Sequence, residues 1–235
     1  MATKTRRYGG LLDHERRAER RARLLETGLE LFGTIGYGRT TIPLLCSRAR
    51  IAARHFYEEF DSREALLREI YDGIAAEAVA RVRAALRDRG VRGIERIRRA
   101  NAAYFSYLTA DPRRARIYAL ESMGVSAEME QYRRATRERF IRLNMPEPAA
   151  VLSPLEPRLL TVSIAAAAHG LLLEWVMAAE PPAIETMTET MTMLWIRTLR
   201  GSTTDARLDD GHPFDDQLDP EPRGAMARCR RDRNA

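Results

Sequence analysis

A chain of 235 residues, 45% hydrophobic and 31% charged, is long enough to bury a substantial core, which excludes a peptide-sized scaffold. Two cysteines, Cys46 and Cys229, exclude a disulfide framework and a four-cysteine metal site, and point to a reducing cytoplasm. The net charge of +6 is concentrated: residues 1–57 carry 12 basic against 5 acidic groups, while residues 58–235 carry 27 against 28, so a basic head precedes a nearly neutral body.

No alternation of β-branched residues marks a strand, whereas apolar residues recur at intervals of three and four throughout. The first amino-terminal residues hold only Leu11 and Leu12 as an apolar stretch, so neither a secretory signal nor a membrane span is expected there. Leu24, Leu25, Leu29, Leu31, Phe32 and Ile35 predict a helix over 14–35, stopped by Gly36. Thr40 and Thr41 are candidate caps for a helix over 42–49, with Pro43 in its first turn. A short helix follows from Ala53 to Phe60, and Asp61 or Ser62 caps a long one that ends near Gly90. Further helices are predicted over 92–109, 112–122, 126–144, 155–180 and 184–199, punctuated by Asp111-Pro112, Gly124, Pro146, Pro181-Pro182 and Gly201. Residues 201–235 combine glycine, proline and opposed charge blocks, and are expected to be disordered, with an intramolecular competitor for the basic head's binding surface as the alternative reading.

Three helices with a tight break between the second and third, in the one strongly basic part of the chain, fit a helix-turn-helix. The residues are more specific than the layout. Tyr37-Gly-Arg-Thr-Thr-Ile42, then Ala49-Arg-Ile51, then Phe56-Tyr57-Glu-Glu-Phe60-Asp-Ser62-Arg63-Glu64-Ala-Leu66 follow a helix ending Leu31-Phe32-x-x-x-Gly36-Tyr37. Over about residues 16–72 this resembles the DNA-binding domain of the tetracycline-repressor family of bacterial transcription regulators. The resemblance implies an all-α fold of about nine helices. It comprises a basic arm (1–15), a helix-turn-helix head (16–72), a ligand-binding and dimerisation domain joined by a long helix (73–200), and the tail (201–235).

On this reading Thr41, Ala53, Arg54, His55, Tyr57 and Arg63 form the DNA-binding set. Thr41 at a helix start can cap and also donate to phosphate. Arg54 can take guanine O6 and N7 bidentately, and Tyr57 and Arg63 match the family's backbone contacts. Ile42, Leu45, Ile51, Phe56 and Phe60 have the spacing of a small core. Three departures stand out. Arg50 holds the turn position where the family has glycine, Ala52 replaces a capping serine, and Glu58, Glu59 and Asp61 bring acids toward a surface meant for phosphate. Lys4, Arg6, Arg7, Arg16, Arg17, Arg20 and Arg21 are expected to offset them by binding backbone or minor groove. Cys46 reads as a small packing residue.

The body names no ligand. Leu159 to Ala179 is apolar except for His169, Glu174 and small polar residues, which reads as a helix buried nearly all round; a membrane span is disfavoured by His169 and Glu174. Ile184, Met187, Met191, Leu194, Trp195 and Leu199 make a stripe opposite Glu185, Glu189 and Arg197. These two helices, about 155–180 and 184–199, are expected to form a homodimer seam, with intramolecular core as the competing reading. Asn101, Tyr104, Tyr107, Tyr118, Tyr132, His169 and Trp175 interrupt apolar faces and are the candidate pocket for a small apolar or aromatic effector.

No metal, cofactor or catalytic constellation is expected, because four scattered histidines accompany no phosphate loop and no nucleophile motif. The resulting expectation is a cytoplasmic, dimeric regulator on a pseudo-palindromic operator in double-stranded DNA, a repressor released by its effector. A DNA-binding dimer indifferent to small molecules and a helical enzyme or lipid binder with an incidental basic head stand as alternatives.

Overall fold

Nine α-helices, and no strand among the described residues, follow from this patterning in a computed structural model described for residues 9–88, 90–144 and 155–202. They are α1 (Gly9–Thr34), α2 (Ile42–Ala49), α3 (Ala53–Glu59), α4 (Arg63–Leu86), α5 (Gly93–Thr109), α6 (Pro112–Arg116), α7 (Ala127–Asn144), α8 (Leu155–Met177) and α9 (Ile184–Ser202). Local chemistry sets the starts. Thr41 accepts from the Leu44 amide at 3.3 Å, Ser62 from Ala65 at 3.0 Å and Asp111 from Arg113 at 3.1 Å, satisfying amides that a helix start leaves without partners. Proline follows in the first turn of α2 and α6, where its missing N–H costs nothing.

Four boundaries differ from the sequence reading. The first helix begins at Gly9, so residues expected in the arm extend α1. The long helix α4 ends at Leu86, and Asp88 accepts from the Gly90 amide in the turn beyond. The helix expected over 112–122 is split: α6 passes directly into a π turn, Ile117–Glu121, closed by the Ser122 amide on the Ile117 carbonyl at 3.2 Å. The eighth helix stops at Met177, four residues ahead of Pro181-Pro182. Residues 1–8 and 203–235 lie outside the described residues, and with them Lys4, Arg6, Arg7, Cys229 and the expectations placed on the tail.

The head packs α1 to α3 and the start of α4 around fully buried Leu24, Phe32, Leu45, Phe56, Leu66 and Leu67. Ile51 and Phe60 join that core and Ile42 packs at its edge. In the body α5 lies between α4 and α9, and α8 rests on the π turn and on α7. The α9 stripe is largely core. Met187 and Met191 are each 1% exposed within the single chain, facing α5, and Trp195 packs partly buried on the same core, while Leu194 remains exposed. No helix among the described residues is long and apolar enough to cross a membrane, and α8 carries both buried Leu172 and exposed Leu159 and Met177.

Candidate DNA-binding head and ligand cavity

The left-handed turn after α2 aims the third helix. Arg50 adopts φ 53°, ψ 49°, with its amide on the Ser47 carbonyl and the Ile51 amide on the Cys46 carbonyl, closing the helix end in the manner usually given to glycine. Ala52 stands at the start of α3 with no side-chain cap, as its identity requires. Helix α3 then presents Ala53, Arg54 and Tyr57 to solvent, Tyr57 being 56% exposed with its ring edge-on to buried Phe56 at 5.5 Å. Arg54 donates to the His55 ring at 3.4 Å and, among the described residues, forms no ion pair, though its charge reaches Glu58. Exposed Thr41 uses its oxygen as an acceptor for its own helix, so its hydroxyl hydrogen remains available to an outside acceptor.

Two members of the expected contact set are already engaged. Half-buried His55 sits 2.7 Å from the Glu58 carboxylate, a bond that, more than any other influence, holds that carboxyl below the usual range. Half-buried Arg63 donates to the Thr40 carbonyl and lies 4.1 Å over the Tyr37 ring, tying the start of α4 to the loop between α1 and α2.

Of the three acids, Glu58 and Asp61 stay exposed, whereas Glu59 is placed differently from the sequence reading. The Glu59 side chain is 2% exposed, bound by Arg17 at 3.0 Å and Arg21 at 3.4 Å; Arg21 also holds the Glu59 carbonyl and the Glu69 carboxylate and covers Phe60. Arg20 lies 4.0 Å from Glu58. These arginines are therefore clamps between α1 and α3, and Glu59 points into the protein, because a carboxylate beside two guanidiniums is better satisfied there than against phosphate. Cys46 is buried, which raises its thiol above the ordinary range and suits a packing role.

The body encloses a cavity of about 190 Å³ between α4, α5, the π turn, α7, α8 and α9. Of the seven residues expected there, Asn101, Tyr104, Tyr118 and His169 line it. The other three do not. Tyr107 packs outside, under the guanidiniums of Arg114 and Arg81. Tyr132 stands behind Tyr71 and donates to Asp72, its hydroxyl pushed up to about 12 by burial and by that carboxylate. Trp175 packs partly buried against the apolar core. Tyr71, Arg133, Arg137, Phe140 and Trp195 line the cavity without having been expected. Their signal in the sequence is faint: Arg133, Arg137 and Phe140 recur at four and three residues on one face of α7.

Aromatic rings order the wall. Tyr71 stacks on Tyr118 at 5.2 Å with a 5° interplanar angle, Tyr104 meets Tyr118 edge-on at 6.4 Å, and His169 lies 6.2 Å from Tyr118. Burial raises the Tyr71, Tyr104 and Tyr118 hydroxyls above their ordinary range, so all three are protonated donors at neutral pH. Burial, and then Arg133 and Arg137, lower His169, which is therefore neutral.

A hydrogen bond ties the turn that carries Tyr118 to the head. Tyr118 belongs to the π turn, and the last residue of that turn, Glu121, accepts from the Tyr37 amide at 2.7 Å while Arg116 holds its other oxygen at 2.8 Å. Gly36, at φ 93°, makes room for this approach, since a Cβ there would stand 3.0 Å from the Glu121 carboxylate.

Residues 24–70 match the family model of bacterial regulatory proteins, tetR family. Among solved structures, the fatty acid degradation regulator FadR from Bacillus halodurans superposes with a TM-score of 0.65 at 16% identity, covering 77% of this chain and 96% of that one. FadR from Bacillus subtilis, in complex with stearoyl-CoA, gives 0.63 at 15% identity over 74% of this chain and 96% of that one. A transcriptional regulator from Pseudomonas aeruginosa PAO1 gives 0.62 at 17% identity, over 77% and 91%. No curated protein matches the sequence. At these identities the likeness is one of fold, and the proteins that share it are regulators rather than enzymes. The head, residues 24–70, thus resembles the tetR family model, and the fold around it is that of the regulators named above.

Proposed function

We propose that the protein is a homodimeric cytoplasmic repressor that reads a pseudo-palindromic operator and leaves it when a small effector enters the body cavity. The observation that carries this reading is the surface of α3: Arg54 and Tyr57 stand exposed three residues apart, Arg54 in no ion pair among the described residues, while Glu58 and Glu59 are drawn into contacts with the head's own basic groups. Thr41, Ala53, Arg54 and Tyr57 make the DNA contacts, and His55 and Arg63 hold the shape of that surface. Exposed Leu159 and Met177 on α8 and Met193 and Leu194 on α9 supply apolar area for pairing, and two heads one DNA turn apart would read an inverted repeat. The cavity supports an effector, as does stearoyl-CoA bound by the Bacillus subtilis neighbour.

Selection of bound sequences from random double-stranded DNA by the full-length protein tests the reading. An enriched inverted repeat is expected, with Arg54→Ala relaxing the preference at one base pair per half-site, an effect of about 1–3 kcal/mol. Absence of enrichment from a folded protein, or a single half-site without its mate, would contradict it.

A further inference from the structure

The charges around the cavity do not balance. Its wall is mostly apolar or aromatic, yet α7 contributes two guanidiniums, Arg133 and Arg137, and one carboxylate, Glu130. Glu130 is committed to Arg133 at 2.7 Å. Arg137 has no acidic partner among the described residues, and the Nε atoms of both arginines are buried with no acceptor. Across the cavity the His169 Nε2 is likewise buried and unpartnered. A guanidinium beside an apolar wall is costly unless an anion meets it, and each unsatisfied donor adds to that cost. The neutral His169 ring and the protonated Tyr118 hydroxyl, which accepts from Tyr104 and Tyr71, add donor capacity without adding negative charge.

We infer that the cavity binds a small organic acid, with its carboxylate on Arg137 and its hydrocarbon part among Tyr104, Phe140, Ile164 and Met191. The inference rests on the proposed function in taking this cavity as the effector site, and names the chemical class of that effector. Size narrows the class. An apolar cavity of roughly 150 Å³ admits benzene, so the 190 Å³ here suits a monocyclic aromatic or medium-chain carboxylate rather than a large conjugate. Amines are excluded by the uncompensated guanidinium, and neutral isosteres leave it unpaired.

The test is calorimetric titration of the full-length protein with octanoate and cinnamate against octanamide and cinnamamide, at matched ionic strength. Each acid is expected to bind at least about tenfold more tightly than its amide, as a charge-assisted pair requires. Arg137→Gln should abolish that preference while leaving the amides' affinities unchanged. Arg139→Gln, one turn-face away on the same helix and outside the cavity, should retain it. If Arg137→Gln does not fold, Arg137→Lys keeps the charge but not the fork and should bind the acids more weakly than wild type while still preferring them to the amides. Amides equal to acids, no binding by any of the four, or a preference that survives Arg137→Gln would overturn the inference. Specific DNA binding by a protein that ignores all four would overturn this inference and leave the regulator reading standing. Selective acid binding by a protein that enriches no DNA sequence would support the inference and contradict that reading.

Discussion

Single residues in the head hold positions that a different side chain would fill more cheaply. Arg50 is the only non-glycine residue with positive φ among those described, and its side chain is exposed. The left-handed conformation costs an L-residue on the order of 1–2 kcal/mol, against which glycine's extra unfolded-state freedom costs about 0.5–1 kcal/mol. Arg50→Gly is therefore expected to raise stability by about 0.5–1 kcal/mol, read as a higher urea midpoint at unchanged slope. A lower midpoint would mean that the Arg50 side chain makes a favourable contact. The same scale explains what the sequence could not disclose about Glu59. Acids in α3 are visible as a conflict with phosphate, but their resolution depends on Arg17 and Arg21, some forty residues earlier, folding onto them.

At the scale of elements, the head and body touch where α1 crosses α6. Gly33 is the contact point: a Cβ there would lie 2.5 Å from the Arg113 Cβ and 2.8 Å from its Cα, so the backbone of α6 would have to move. Overpacking of this kind costs about 1–3 kcal/mol, and Gly33→Ala is expected to lower the melting temperature accordingly. Gly73→Ala serves as the comparison, because nothing lies within 4 Å of its added methyl and helix propensity favours alanine. Equal melting temperatures in the two variants would refute the close approach of α1 and α6.

The starts of α2 and α4 were legible because Thr41 and Ser62 announce themselves chemically, whereas Asp111 read as a stop and proves to cap α6 as well. The π turn was not, since one inserted residue leaves the apolar spacing nearly unchanged. Periodicity also gives a face without naming its neighbour, which is why the α9 stripe read as a dimer seam while Met187 and Met191 face α5 in the same chain. The cavity divided the same way. Tyr104, Tyr118, Asn101 and His169 interrupt apolar faces and could be picked out, whereas Arg133 and Arg137 sit in a helix so rich in charge that they look like solvated surface.

At the scale of the whole molecule, a short chain of contacts runs from the cavity to the start of α2 in the head. Tyr118 lines the cavity; three residues on, Glu121 grips the Tyr37 amide; Tyr37 lies under Arg63, which holds the Thr40 carbonyl just before Thr41 opens α2. A ligand that pushed on Tyr118 would shift the π turn, and π turns are adaptable segments inside otherwise rigid helices. Allosteric coupling needs only about 1–3 kcal/mol to change operator affinity 5- to 150-fold, which is the scale of losing one buried hydrogen bond to a carboxylate. The most direct measurement is the operator affinity of full-length Glu121→Ala against wild type at one salt concentration, with helicity compared by circular dichroism. Operator binding is expected to weaken by at least about fivefold with the preferred sequence and the helix content unchanged. An affinity within twofold of wild type in a folded variant would contradict the claim that Glu121 carries the connection between cavity and head.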